Sequence, residues 1–290
     1  MSRTDEQLAM LFPGQGSQTA DMRDQVESQR HDLMELARSE VSDDLFERAA
    51  DGTRWAQPAI FCAALAGYAI LRPRYEVDLM AGHSLGEITA LVAADAIDAH
   101  DGLRLVAARG RLMQEAAEET GDGGMTAVRA RDRAAVAEVA AETGVSIAND
   151  NAPDQLVLSG ALAALDEAER LLAERKVLAK RLPVKGAFHS PLMEPAVEPF
   201  RELLARTEVR EPSVPVLSCV TAAPFNDVRD QLVQALTNPV RWTDVMGALR
   251  DLGATRYVET GPGRVLTNLV RKSLDGVEAD APLAMEAANA

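Results

Sequence analysis

The chain has 290 residues, 47% of them hydrophobic and 26% charged, with a formal net charge of −15. That length holds one large α/β domain or two smaller units around a sizeable core. So acidic a surface excludes bulk binding to nucleic acid and electrostatic attraction to an anionic membrane, and no apolar run approaches the ~18 residues that span a bilayer.

Met1 to Gln7 is polar and lacks the apolar core of a secretion signal, so the expected location is the cytoplasm. Leu8 to Phe12 is a short apolar run ended by Pro13-Gly14, which predicts a buried strand and then a loop. Residues 20–52 are rich in Asp, Glu and Arg and read as surface helices. Gln57 to Leu71 is mostly Ala, Leu, Ile and Phe, a buried helix with Pro58 near its start. The two cysteines, Cys62 and Cys219, lie in apolar surroundings and read as buried free thiols; no Cys/His spacing suggests a metal. Val77 to Ala81 predicts a central strand and Glu87 to Ala94 a helix. Residues 101–119 predict another helix, with Asp101 as its N-cap.

From residue 125 the pattern changes. Met125 to Arg129 reads as a strand and Asp132 to Glu142 as an Ala-rich helix closed by Gly144. Val145 to Ile147 and Gln155 to Ser159 read as two strands joined by an Asn-rich loop. Leucines at 162, 165, 171 and 172 form a helical stripe, and Val177 to Val184 closes with a strand. The order βαββαβ is that of a ferredoxin-like unit. The expected fold class is therefore α/β. A large unit of residues 1–123 and 187–290 carries a small inserted subdomain, 124–186, entered through the glycines at 121–124. Val214 to Ser218 and Thr255 to Glu259 supply later strands of the large unit, and the tail from Gly276 is expected to fray.

Gly82-His83-Ser84-Leu85-Gly86 has the G-x-S-x-G spacing of a nucleophile elbow and follows an apolar run. It points to acyl transfer through an ester on Ser84, although a plain Gly/Ser turn shares the spacing. A serine so placed needs a base and donors for an oxyanion. Among the four histidines, His31 reads as a surface residue, His100 lies in a turn, and His83 should point away from its neighbour Ser84. His189, where the small unit returns to the large one, remains as the base. No carboxylate between Ser84 and His189 has a telling context, so a backbone carbonyl is a sufficient orienter. The loop Pro13 to Gln18 fits neither phosphate-binding spacing. It reads better as an oxyanion loop, the Gln15 N–H joining that of Leu85. Arg109 reads as a surface arginine lying along its helix or as a clamp for a carboxylate.

Phe12 to Gln18, Gln57-Pro58-Ala59, Ala81 to Glu87, Arg109-Gly110 with Met113-Gln114, Ala187 to Ser190, Asn238 to Trp242 and Glu259 to Gly263 follow one another in this order. In that order and spacing the chain, over about residues 8–274, resembles malonyl-CoA:acyl carrier protein transacylases and the acyltransferase domains of polyketide and fatty acid synthases. The resemblance implies a hydrolase-like core with a mainly parallel sheet and an inserted ferredoxin-like subdomain. It implies a malonyl ester on Ser84, His189 as base, Gln15 and Leu85 as oxyanion donors and Arg109 on the malonyl carboxylate. Ala187-Phe188-His189 resembles the family's malonyl-selective form, in which Phe188 would crowd an α-methyl group. The implied partners are malonyl-CoA and acyl carrier protein, served by a monomer without metal or prosthetic group. Carrier proteins are acidic, so docking needs local basic residues, for which Lys176, Lys180, Arg181 and Lys185 are candidates, with Arg271 and Lys272 as a second set. One position departs: where the family often has glutamine three residues before Asn-Pro, this chain has Ala235. The backbone carbonyl there is the group thought to orient the histidine, and alanine still supplies one. A transferase subunit of malonate decarboxylase and a stand-alone acyltransferase serving a polyketide synthase fit the same residues; a non-catalytic acyl-binding protein fits Ser84, His189 and Arg109 poorly.

Overall fold

The computed structural model describes residues 7–284. The chain runs through β1 (Gln7–Phe12), α1 (Met22–Gln29), α2 (His31–Glu40), α3 (Thr53–Leu71), β2 (Leu79–Gly82), α4 (Gly86–Ala93) and α5 (Ala99–Thr120). It continues through β3 (Gly123–Arg129), α6 (Arg133–Thr143), β4 (Ser146–Ala152), β5 (Gln155–Ala161), α7 (Leu162–Glu174) and β6 (Leu178–Arg181). Last come α8 (Val197–Arg206), β7 (Val216–Leu217), α9 (Val228–Gln234), α10 (Trp242–Asp251), β8 (Ala254–Glu259), α11 (Val265–Ser273) and β9 (Glu278–Asp280). No helix among these is long and apolar enough to cross a membrane.

Five strands form a wholly parallel sheet in the order β7-β2-β1-β8-β9. Its middle strand, β1, is covered on both faces. Leu8, Met10 and Phe12 belong to one core and Ala9 and Leu11 to the other. Burial on both faces removes the polar alternation of a surface strand, which is why this segment reads as an unbroken apolar run. The larger core takes in α3 and α5; α10 and α11 close the opposite face through Trp242, Met246, Leu266 and Val270. The second sheet is antiparallel, in the order β4-β5-β3-β6. Helices α6 and α7 cover it, with Val136, Val139, Leu165 and Leu172 packed with Val128, Leu156 and Leu158.

Several local expectations change. Helix α3 begins at Thr53, so Pro58 lies inside it, where its missing N–H deprives only the Arg54 carbonyl of a donor. Helix α5 begins at Ala99, capped by Asp98, whose carboxylate accepts the His100 N–H at 2.8 Å. Asp101 sits instead in the first turn, where its charge suits the helix dipole. Asn149, Asp150 and Asn151 are not a loop. They continue β4, with two register shifts against β5, because their polar groups find partners outside the sheet. The Asp150 N–H donates to the Val240 carbonyl and the Val240 N–H to that of Ala148, both at 2.9 Å, while Thr243 Oγ1 donates to the Asp150 carboxylate at 2.6 Å. Gly123 and Gly124 belong to β3, and Gly121, at φ 78°, makes the turn before it. The tail does not fray from Gly276, since Glu278–Asp280 pairs in parallel with β8; residues 285–290 lie outside the described residues.

The end of β8 is fastened by a buried carboxylate. Glu259 accepts the Leu266 N–H at 3.0 Å, the Thr267 N–H at 2.7 Å and the Thr267 hydroxyl at 2.8 Å, capping α11. Burial nonetheless pushes its carboxyl up to about 7. Glu259→Ala will strand three buried donors and lower unfolding stability by about 2–3 kcal/mol, read from denaturant midpoints.

Candidate active site

At the end of β2 the chain turns into α4 through contacts that only glycine permits. A Cβ on Gly82 would lie 1.9 Å from the Gly86 carbonyl, and one on Gly86 2.2 Å from the Phe12 carbonyl oxygen. The turn is closed by His83 N–H to the Phe12 carbonyl and Gly86 N–H to the His83 carbonyl, each at 3.0 Å. Ser84 is forced into the left-handed region at φ 55°, a strained setting for a residue with a Cβ that the surrounding bonds hold in place.

The Ser84 hydroxyl meets two groups. His189 Nε2 lies 2.9 Å from it, and an Arg109 N–H donates to it at 3.2 Å. His189 is also left-handed, at φ 56°, and its Nδ1 lies 2.8 Å from the Ala235 carbonyl oxygen. A carbonyl only accepts, so Nδ1 carries the proton and Nε2 presents its lone pair to Ser84. Burial first, and the Arg109 charge second, hold this imidazole down at about 3, so it is neutral in the free protein.

Arg109 is buried, at 3% exposure, on the inner face of α5. A second N–H donates to Gln57 Oε1 at 2.8 Å, and Gln57 Nε2 donates to Thr53 Oγ1 at 2.8 Å. Among the described residues no carboxylate comes within ion-pair distance of this guanidinium. Burial lowers it to about 10, against the opposing charge of Glu87, so it stays protonated at neutral pH. The result is a fixed cation beside the Ser84 hydroxyl, with space in front of it.

That space is a cleft of about 1040 Å³. The large unit contributes Gln15, Ser84, Leu85, Arg109 and Met113. Asn149, Asn151, Val157 and Leu182 to Lys185 close it from the other sheet, with Phe188 and His189 at the return. Leu85 stands at the N-terminus of α4, where the helix dipole favours negative charge. Among the described residues neither its N–H nor that of Gln15 donates to a protein acceptor. The arrangement has what acyl transfer needs: a hydroxyl against a neutral base, free N–H donors nearby and a cation that would hold an acidic acyl group.

All the expected site residues, Ser84, His189, Gln15, Leu85, Arg109 and Phe188, line this one cleft. His31 is exposed at the start of α2, and His100, in the first turn of α5, lies 3.2 Å from Glu40, so neither joins it. Sequence reasoning missed three contributors. Gln57, quoted only as part of a motif, steadies Arg109. His83 turns away from Ser84 to place Nε2 2.8 Å from Asn151 Oδ1, with its ring against Trp242. Glu87 is buried beside Cys219, whose N–H it accepts at 2.7 Å. The available signal for Glu87 was a lone carboxylate in the apolar run Glu87 to Ala93.

A parallel α/β core with a half-buried elbow serine bonded to a histidine is the architecture of an acyltransferase. The family described as "Acyl transferase domain" matches residues 9–285, and the chain belongs to it. Malonyl CoA-acyl carrier protein transacylase of Escherichia coli K12 is 37% identical over 97% of this chain and 98% of its own length. Polyketide biosynthesis protein ThaF of Burkholderia thailandensis is 39% identical over 92% of this chain, which spans only 24% of that protein. The crystal structure of malonyl-CoA:acyl carrier protein transacylase from Xanthomonas oryzae pv. oryzae superposes with a TM-score of 0.89 at 37% identity, covering 98% of this chain and 97% of that one.

Because His189 is held down at about 3 against an ordinary 6.5, its basic form persists through neutral and weakly acidic pH. Acyl transfer from an acyl-CoA, followed as kcat/KM, will therefore show no acid-side loss centred near 6.5 and will hold to roughly pH 5. A midpoint at the ordinary imidazole value would mean that the base is solvated rather than buried.

Proposed function

We propose that this chain moves a malonyl group from malonyl-CoA to the phosphopantetheine thiol of an acyl carrier protein through an ester on Ser84. The observation that carries the proposal is Arg109, a buried guanidinium that no carboxylate among the described residues meets at ion-pair distance, 3.2 Å from the Ser84 hydroxyl. A cation so placed selects an acyl group that brings its own negative charge. The full-length likeness to proteins named malonyl CoA-acyl carrier protein transacylase supports the same reading.

In the first half-reaction His189 Nε2 takes the Ser84 proton as Oγ attacks the thioester carbonyl. The oxyanion forms between the Gln15 and Leu85 N–H groups. Collapse breaks the C–S bond, and the proton on Nε2 goes to the departing CoA sulfur. In the second half the carrier thiol gives its proton to His189, its sulfur attacks the ester carbonyl, and Ser84 leaves with that proton. Water is the competing acceptor; the pairing of the malonyl carboxylate with Arg109 keeps the ester inside the cleft. Phe188, packed against Gly186, narrows the pocket against an α-methyl group by the ~1–3 kcal/mol that one methylene commands.

Lys180 is exposed and Lys185 reaches the cleft mouth, which suits an acidic carrier. Arg181 leaves that patch, because Asp166 and Glu169 hold it at 2.8 and 2.7 Å. Arg271 and Lys272 are likewise engaged, with the Ala279 carbonyl and Gln155. A carrier belonging to a polyketide assembly is the second reading, favoured by the 39% identity with ThaF.

Ser84→Ala will abolish the malonyl-sized mass increment on the intact protein and lower transfer by roughly 10⁴-fold or more. A persisting increment would place the ester elsewhere. Arg109→Ala will lower malonyl transfer at least about 30-fold and acetyl transfer much less, since only the first loses a buried charge pair. Equal losses for both acyl-CoAs would refute the clamp.

A further inference from the structure

Glu87 stands three residues past the nucleophile, at 1% exposure, at the head of a helix that is otherwise apolar apart from Thr89. One carboxylate oxygen accepts the Cys219 N–H; the other, Oε2, is buried without a partner. A half-satisfied carboxylate in the interior is costly enough to require a reason. Arg109 has the complementary deficit: a buried cation whose direct partners are all neutral. Among the described residues, Glu87 is the carboxylate whose charge acts on Arg109. Both groups converge on Ser84, the Glu87 N–H donating to its carbonyl at 3.1 Å and Arg109 to its hydroxyl at 3.2 Å, and no ion pair joins them, so each is the other's counter-charge without direct contact.

We infer that Glu87 is the resident counter-charge of Arg109 and takes up a proton from solvent when a substrate carboxylate settles on that guanidinium, an assignment that rests on the malonyl reading above. Above about pH 7 the free protein sets one buried cation beside one buried anion. Malonylation brings a second carboxylate to the same cation. The anion with the poorer hydrogen bonding then gives up its charge. Glu87, with an orphan oxygen, is that anion, and protonation turns Oε2 from an unsatisfied acceptor into a donor. The step balances as ionised Glu87, free Ser84 hydroxyl, malonyl-CoA and one proton giving neutral Glu87, malonyl-Ser84 and CoA thiol. The net charge of the site is the same before and after acylation. An acyl group without a carboxylate leaves Glu87 ionised.

The surroundings agree. Burial pushes Glu87 up to about 7, where a modest change in local field changes its state. From α5 it faces Arg109, which stays charged. From the loop after β7 the Cys219 N–H and the Ser218 hydroxyl favour its ionised form, while the Cys219 thiol, which burial pushes well up, stays neutral. His83 and His189, on the elbow and across it, are both held below the ordinary imidazole value by burial. His189 is thus the rival acceptor of the proton.

The test mixes the whole protein with malonyl-CoA in weak buffer containing a pH indicator, with acyl-enzyme counted by intact mass. Uptake requires Glu87 to be ionised beforehand, so it should grow as pH rises through about 7 and approach one proton per malonyl-enzyme near pH ~8. Acetyl-CoA releases the same thiol and should give no uptake, which cancels any proton from CoA. Glu87→Gln should acylate without uptake. Malonyl-enzyme formed without uptake would overturn the inference, as would uptake that survives in Glu87→Gln, which would assign the proton to His189. Absence of any acyl-enzyme would instead sink the malonyl reading. Should Glu87→Gln fail to fold, infrared difference spectra of wild-type protein carrying ¹³C-glutamate decide the matter. A protonated glutamic acid band must appear on malonylation, and its absence overturns the assignment.

Discussion

Three stretches of main chain meet at the end of β2 with no room for side chains between them. The Phe12 carbonyl, the Gly86 backbone and Gly82 approach so closely that a single methyl group on either glycine would separate them. Everything at the site follows from that contact. It seats β1 beside β2 in parallel register, points the loop after β1 at the cleft, and starts α4 two residues after Ser84. It also holds Ser84 in a backbone conformation the residue would not choose alone. The surrounding hydrogen bonds, not local preference, maintain the strain.

From this contact a continuous polar chain crosses an apolar core. Thr53 and Gln57 on α3 lead to Arg109 on α5, then to Ser84, His189 and the Ala235 carbonyl beyond α9. Six groups in series, joined by five hydrogen bonds, satisfy one another, which is the condition under which buried polarity is tolerated. The chain stops being neutral only at Arg109, which places its one fixed charge where an acyl group would enter. The other sheet closes over this line through Asn149 and Asn151. Its edge strand is joined to the large unit by main-chain bonds at Val240 and by the His83–Asn151 contact.

Much of this was legible in the sequence, for identifiable reasons. A doubly buried strand must be uniformly apolar, so β1 and β2 announced themselves. The elbow did so because its glycines are sterically obligatory. The βαββαβ order emerged because its strands and helices are amphipathic with different periods. What stayed hidden was polarity used at a distance. Asn149 to Asn151 carries loop-forming residues, yet forms a strand because their partners lie in α10, in the segment before it and at the elbow, more than sixty residues away in sequence. Gln57 and Glu87 are unremarkable in composition; their meaning depends on Arg109, and on which face of α5 that arginine lies. Asp98 capped α5 where Asp101 was expected, because either aspartate satisfies the local rule and only the helix's packing selects between them.

The Ala235 carbonyl has a different kind of consequence. His189 is oriented by an atom that every amino acid possesses, so the contact is written in the path of the main chain rather than in a letter of the sequence. The contact itself does not require a particular side chain at 235, although the residue is buried and only a small one fits beside its neighbours without shifting the turn. What must be inherited is the way α9 ends: its last turn, the bond from the Ala235 N–H to Gln231, and the descent to Val240 that ties it to the second sheet. Selection on the orientation of this histidine is therefore spread over a whole turn of helix, and drift at any one residue there is buffered by the rest.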